Sequence, residues 1–210
     1  MKLKILIITL LFPLFGFGQT DSIPYTRDYE FREGLYLTFG HFMGNVPIRK
    51  QDIISSYSKS EADFVSQVVN QKVVLYKDQD GKEQKIPSLS LWGYCQNHSI
   101  YINFNNEFVR VNVIGTLCHF TATVYNKVGY EDPLDTNYGI NTVSELRQFV
   151  FDTQTNKIYD FSVKNMEILL QNDPELSADF AKLKKRQKAD SIFIYLRKYN
   201  EKHPLYLAAK

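Results

Sequence analysis

The feature that most constrains the fold is a two-residue alternation of side chains across residues 100–113. Its apolar members are Ile100, Ile102, Phe104, Val109, Val111 and Val113. This period is typical of strands with two different faces, because successive side chains of a strand point to opposite sides. Turn-forming residues at 96–99 and 105–106 separate the runs. We therefore predict an antiparallel meander in the middle of the chain.

After residue 161 the hydrophobic period changes from two to about 3.6, which predicts helices. Ser162 can cap the first helix, and Asp173 followed by Pro174 is typical of the start of a second one. A third helical run follows, and the last two could form one long, bent helix. The patterns together predict an α+β fold. Its antiparallel β-meander sheet has about six to eight strands, and two or three C-terminal helices pack on one face or end.

The same patterns divide the chain. Residues 19–33 mix polar and aromatic side chains, and we expect them to form a mobile N-terminal tail. Residues 34–161 are predicted to form the sheet domain with short N-terminal helices. One helix should begin after Thr38, and another after the capping-box sequence at residues 60–63. Residues 162–210 are predicted to be a C-terminal helical segment of the same domain.

The first 18 residues have the layout of a secretory signal peptide. Lys2 and Lys4 precede an apolar run over residues 5–15, and Gly18 offers a small residue for cleavage. A retained membrane anchor is the alternative, but it would need about 20 apolar residues. This run is shorter and is interrupted by Pro13. We therefore expect cleavage after Gly18, no transmembrane segment in the mature chain, and a periplasmic or extracellular location.

The charge of the mature chain is balanced. Cleavage removes two lysines and no acidic residue, so the 25 basic residues of the full chain become 23 and equal the 23 acidic ones. A basic cluster on the predicted helices comprises Lys182, Lys184, Lys185, Arg186 and Lys188. No aromatic residues are interleaved in it to stack bases, so it is interpreted as a solvated helix face. We expect no nucleic-acid partner. The partner is otherwise unknown, and an envelope glycan or protein is left open.

Cys95 and Cys118 are the two cysteines of the chain. Export would bring them to a compartment in which a disulfide survives. Their strands are not neighbours in a simple meander, however, and Cα atoms more than about 7 Å apart cannot be bridged. Two alternatives are therefore kept for these cysteines, namely a disulfide and a pair of buried thiols. A nucleophilic pair of Cys118 and His119 is not expected, because adjacent residues of a strand point to opposite faces.

Aromatic and acidic residues suggest a ligand surface. The candidate residues are Trp92, Tyr94, Tyr101, Tyr130, Asp132 and Asp135, with Tyr36 and Tyr125 as further aromatic candidates. The last three of the six lie in a Gly-, Pro- and Asp-containing stretch over residues 129–142, where an ordered loop could carry a site. Packing in the core and across strands is the alternative for the aromatic members.

Recognisable catalytic and metal-binding motifs are not found in the sequence. The four histidines are His41, His98, His119 and His203. They are scattered, and no zinc-ligand spacing, nucleophile elbow or phosphate-binding loop accompanies them. Asp78, Asp80 and Glu83 are spaced loosely like calcium ligands, but the other ligand positions of an EF-hand are not occupied, so a plain turn is favoured. No cofactor or metal is predicted.

Several short motifs, taken together, resemble those of a group of exported Bacteroidota proteins of unknown function. The motifs are GLYLTFGHF at residues 34–42, with Asn45 and Pro47 after it, LWGY at 91–94, a hairpin at 152–161 followed by NMEILL, and YNEKHPLY at 199–206. The resemblance implies an acidic pair where Gly40 and His41 stand here. The LWGY segment is also similar to a single WG-type repeat. Neither resemblance implies an activity, a substrate or functional residues.

Three hypotheses of function follow. The first is an exported, non-catalytic binding or interaction module of the periplasm or cell surface. The second is a hydrolase-like envelope enzyme whose site assembles near residues 129–142 with His98 or His119. The third is a structural or assembly role through the C-terminal helices.

Overall fold

The computed structural model describes residues 21–128 and 141–209, without the side chains of residues 127, 128, 141 and 142. The strands are β1 Ser22–Pro24, β2 Gly34–Tyr36, β3 Ile48–Arg49, β4 Ile53–Ile54, β5 Val73–Lys77, β6 Glu83–Pro87, β7 Gly93–Gln96, β8 Ser99–Phe104, β9 Glu107–Val113, β10 Leu117–Val128, β11 Asn141–Asp152, β12 Lys157–Asp160 and β13 Tyr206–Ala208. The α-helices are α1 Phe39–Met43, α2 Phe64–Val69, α3 Val163–Leu169, α4 Pro174–Ala181 and α5 Lys185–Lys202.

Eight strands form the central sheet, in the order β12-β11-β10-β9-β8-β7-β2-β3. Its strand pairs are antiparallel, and β7 to β12 follow one another in chain order. The predicted meander and the α+β class are therefore confirmed. Strands β4, β5 and β6 form a separate three-stranded sheet, and β1 pairs with β13 in a third one.

Two-residue turns join the central strands where the sequence predicted them. Asn97 and His98 connect β7 to β8, and Asn105 and Asn106 connect β8 to β9; all four have positive φ angles. Two successive residues with positive φ are typical of the turn whose twist matches that of a hairpin, and Asn tolerates this conformation. These turns hold each strand against its neighbour and so fix the register of the meander.

The central sheet curves around a cluster of apolar side chains on one of its faces. The ring centroids of Phe104 on β8 and Phe149 on β11 are 4.6 Å apart, although two strands lie between them. In a flat sheet the two backbones would be about 14 Å apart, so the strands must bend towards this face. We call this set the inner cluster; its strand residues include Tyr36, Cys95, Ile100, Ile102, Val109, Val111, Cys118, Phe120, Phe149 and Phe151.

The two ends of the chain cover the inner cluster. Strand β1 pairs with β13, with Ile23 opposite Leu207. Tyr29 and Phe31, which follow β1, are buried, and the thiol of Cys95 donates a hydrogen bond to the carbonyl of Phe31. This part of the chain is therefore not the mobile tail predicted for residues 19–33. The prediction was wrong here because the partner strand lies about 180 residues away, beyond the reach of any local pattern.

Two separate layers cover the outer face of the sheet. Over β2, β7 and β8, helix α2 and the β4-β5-β6 sheet bury Leu35, Tyr94 and Phe64 in one cluster. Over β10 to β12, helices α3 to α5 bury Leu117 and Val150 in another. The predicted covering of one face by C-terminal helices is thus confirmed for half of the sheet.

The C-terminal helices begin as the sequence predicted. The hydroxyl of Ser162 accepts a hydrogen bond from the amide of Asn165, and a carboxylate oxygen of Asp173 accepts one from the amide of Leu176. The amide of Leu176, together with Lys202 and His203, holds the pKa of the Asp173 carboxyl well below its usual range. Helices α4 and α5 are separate and do not form one bent helix.

Asn200 of α5 fastens the helical layer to the sheet. Its side-chain oxygen accepts a hydrogen bond from the amide of Leu117 (2.8 Å), and its side-chain nitrogen donates to the carbonyl of the same residue (2.9 Å). Leu117 begins β10, so both bonds act at the start of the longest hairpin. One amide side chain thereby bonds both backbone polar groups of Leu117.

His119 lies inside the same interface. Its ring stands between those of Phe161 and Phe193, with centroid distances of 4.9 and 4.8 Å. Its Nε2 lies 3.0 Å from Oε1 of Gln148, an acceptor, so Nε2 carries the proton, while Nδ1 has no hydrogen-bond partner among the described residues. Burial lowers the pKa of His119 below its ordinary value, against the opposing effect of the Gln148 hydrogen bond.

Replacing Asn200 by Ala is expected to lower the free energy of unfolding by about 2 kcal/mol, because it leaves the two backbone groups of Leu117 unsatisfied. Urea unfolding monitored by circular dichroism measures this change. Asn70→Ala is the matched control, since Asn70 is exposed at the end of α2. Equal stability of the two variants would contradict the role assigned to Asn200.

The stability of the protein is expected to fall as the pH is lowered below about 6.5, the ordinary pKa of histidine. The unfolded chain then binds a proton at His119 that the folded chain resists, which costs up to about 1.4 kcal/mol for each pH unit. In His119→Phe this part of the pH dependence should disappear, whereas His41→Gln should keep it. Denaturant unfolding between pH 5 and 8 measures both, and an unchanged slope in His119→Phe would refute the assignment.

Candidate functional site

Three of the aromatic residues proposed as a ligand surface pack against neighbouring rings, whereas Tyr125 is 59% exposed. Trp92 is half-buried and stacks on Phe42 of α1 at a centroid distance of 4.6 Å. Tyr94 is only 5% exposed and stacks on Tyr101, with ring planes 7° apart. Trp92, Tyr94 and Tyr101 therefore form helix–sheet and cross-strand contacts, and a ligand surface that includes them stays a prediction. The other three candidates, Tyr130, Asp132 and Asp135, lie outside the described residues.

Cys95 and Cys118 are free, buried thiols. They lie on β7 and β10, which β8 and β9 separate, and the thiol of Cys118 donates a hydrogen bond to the carbonyl of Gly115 (3.1 Å). Burial raises the pKa of each thiol to about 12. The structure therefore has neither the disulfide nor a reactive thiolate. Cys118 faces the inner cluster while His119 lies under the helices, so the pair forms no dyad, as predicted.

The predicted turn at residues 78–82 is confirmed, and its carboxylate is engaged within the turn. Asp78 accepts hydrogen bonds from the amides of Asp80 (3.0 Å) and Lys82 (2.9 Å) and from the side chain of Gln84 (2.8 Å). These donors lower the pKa of the Asp78 carboxyl, the Gln84 bond most strongly. In the described part of the chain, no three His, Cys, Asp or Glu side chains are grouped closely enough to hold a metal ion.

The four histidines are placed in different parts of the fold. His41 lies on α1, and His98 lies in the β7–β8 turn beside a small depression that Tyr25 and Arg27 also line. His119 is enclosed in the helical layer, and Nε2 of His203 lies 2.8 Å from a carboxylate oxygen of Asp173, which caps α4. Within the described residues, the hydrogen bonds of the imidazole rings go to Gln148 and Asp173, and none joins a ring to a hydroxyl or thiol group.

A surface cleft of about 600 Å³ lies at the β3 edge of the central sheet. It opens between the α1–β3 segment and the turn that joins β5 to β6. We call it the edge cleft. Its lining residues are Arg32, Leu37, His41, Val46, Pro47, Ile48, Arg49, Asp52, Tyr76, Lys77, Asp78, Gln79 and Gly81.

One wall of the edge cleft is shaped by Asn45. This residue ends the α1 turn with a positive φ of 49° and is buried. Its side-chain oxygen accepts hydrogen bonds from the amide of Arg32 (2.8 Å) and from the hydroxyl of Tyr36 (2.9 Å), and its nitrogen donates to the carbonyl of Glu30 (3.1 Å). The segment before β2 is thereby tied to the end of α1, and the start of the cleft wall is held in place.

The charged groups of the edge cleft differ in how far they are engaged. Arg49 is paired with Asp52, whose carboxylate lies 3.0 Å from its Nε atom. Asp78 is engaged in its turn. Arg32 and Lys77 form no ion pair with any residue in the described ranges 21–128 and 141–209. The cleft therefore combines two unpaired cations with the apolar side chains of its lining.

The lining of the edge cleft combines apolar and charged side chains. Among the described residues that line it there is no Ser, Thr or Cys to act as a nucleophile. Its cations were not singled out from the sequence, because Arg32, Arg49 and Lys77 are scattered and follow no motif. Two sequence signals do fall on the cleft. The GLYLTFGHF motif with Pro47 after it supplies Leu37, His41 and Pro47 to the lining, and the predicted turn at residues 78–82 supplies part of the other wall.

Comparison with known proteins places the chain in a family. No match was found among curated proteins or among solved structures. None of the described helices is long and apolar enough to cross a bilayer. A family model described as a family of unknown function (DUF6563) matches residues 34–203, which span β2 to the end of α5 and include most of the edge cleft. The chain therefore belongs to the DUF6563 family of unknown function.

Proposed function

We propose that this protein is an exported binding protein whose ligand site is the edge cleft. The observation that carries the proposal is the cleft itself. Its volume of about 600 Å³ lies in the range of sites that take small organic molecules. Its lining combines an apolar surface with a few charged groups, which is the usual composition of such sites.

The proposal of export rests on the signal-peptide pattern of residues 1–18. Cleavage after Gly18 would remove none of the described strands and helices, the first of which begins at Ser22. The mature chain would thus keep β1, which covers the inner cluster together with β13.

The packing of His119 favours the binding hypothesis over the enzyme hypothesis. His119, one of the two histidines that hypothesis relied on, is enclosed by Phe161 and Phe193. Its geometry is that of a packing residue. Residues 129–140, around which such a site would assemble, lie outside the described part of the chain.

Filling the cleft tests the proposal. Val46→Trp is expected to weaken binding at least about tenfold, because a large ring would occupy space that the ligand needs. Mature protein comprising residues 19–210 is titrated with a library of small organic fragments and observed by NMR. Ligands should perturb resonances of residues 32–52 and 76–81.

Val143→Trp is the matched control. Val143 is 52% exposed and Val46 is 50% exposed, but Val143 lies on β11, far along the sheet from β3. This variant should bind the same fragments as the unchanged protein. Fragment binding that maps elsewhere, or equal binding by both tryptophan variants, would contradict the proposal.

A further inference from the structure

We infer that the ligand of the edge cleft is an organic anion, with a carboxylate or phosphate group attached to an apolar body. This inference rests on the proposed function, since it assigns a chemical class to the ligand of the same site. Two features carry it: the unpaired cations in the lining, and the apolar surface between them.

The acidic groups of the cleft are already engaged, whereas two of its cations are not. Asp52 pairs with Arg49, and the carboxylate of Asp78 accepts three hydrogen bonds within its turn. Arg32 and Lys77 have no carboxylate partner among the described residues. The cleft can therefore supply charge-assisted hydrogen bonds to an anion without breaking an existing ion pair.

The two unpaired cations come from different walls. Arg32 precedes β2, and the hydrogen bond from its amide to Asn45 fixes its backbone. Lys77 ends β5, where Glu83 of β6 lies opposite it without forming an ion pair. Both line the same cavity, so an anionic group between the walls is attracted from two sides. A cationic ligand would be repelled from the same position.

Apolar side chains complete the site. Leu37, Val46 and Ile48 contribute hydrocarbon surface to the lining, and Val46 is half exposed although it is a β-branched apolar residue. Burying such surface against an apolar ligand is favourable, because it removes hydrocarbon from water. A small inorganic anion would leave this surface in water. The favoured ligand therefore carries both parts, the charged group and the apolar body.

A matched set of probes tests the inference. Octanoate and octyl phosphate supply the two anionic groups on one apolar chain. Octyltrimethylammonium reverses the charge, while acetate and inorganic phosphate lack the chain. We expect the two anionic octyl probes to bind at the edge cleft, as measured by calorimetry and NMR, and the cationic probe not to bind. Acetate and inorganic phosphate should bind at least about tenfold more weakly, and added salt should weaken the anionic probes.

Charge-removing variants test whether Arg32 and Lys77 bind the anionic group. The double variant Arg32→Gln, Lys77→Gln should weaken binding of the better anionic probe by about tenfold or more. The double variant Lys85→Gln, Arg186→Gln removes the same charge from exposed positions outside the lining and should bind like the unchanged protein. The relative affinity of octanoate and octyl phosphate identifies the preferred anionic group.

The outcomes separate this inference from the proposed function. Equal binding of anionic and cationic probes, or equal weakening by both double variants, would overturn the inference. A third outcome is that no octyl probe binds, while fragments still map to the cleft and Val46→Trp still blocks them. The edge cleft would then be a binding site, but the ligand class assigned to it would be wrong. If Val46→Trp changed no binding at all, both the proposed binding function and the inferred ligand class would be refuted.

Discussion

The structure depends on burying both faces of one curved antiparallel sheet. A sheet of this curvature exposes a concave apolar surface, and the inner cluster fills it with rings from β8, β10 and β11. Closing that surface requires segments from outside the meander, and the chain uses its two ends and α1. The outer face is divided between a small sheet and three helices. Every other element is positioned by this requirement.

The edge cleft is a consequence of the same arrangement. The central sheet ends at β3, a strand of two residues, and the chain then crosses into a second sheet. The edge cleft lies where the edge of the central sheet faces the β5–β6 turn of the second sheet. Asn45 keeps one side of this space fixed, and Asp78 keeps the turn on the other side closed. Hydrogen bonds within the walls reduce the ordering that ligand binding would require.

Local patterns predicted the regular elements well, because their causes are local. The alternation over residues 100–113 became β8 and β9, and Thr38, Ser162 and Asp173 cap helices as predicted. Helix α2 also formed, but its N-cap is Asp63, without a side-chain cap bond. The failures concern contacts between distant residues. Strand β1 finds its partner at the other end of the chain, and Tyr94 is buried because α2 and the second sheet cover it. The candidate site was missed for the same reason.

The sequence by itself determined the α+β class, the meander and its turns, because side-chain period and turn-forming residues act over a few neighbours. It also determined that Cys118 and His119 face opposite ways, since that follows from strand geometry alone. Only the tertiary structure decided how the sheet curves, what covers each face, and which cations lie together. Arg32, Arg49 and Lys77 are brought to one cleft by strand pairing and sheet packing, and these depend on contacts that no short stretch of sequence contains.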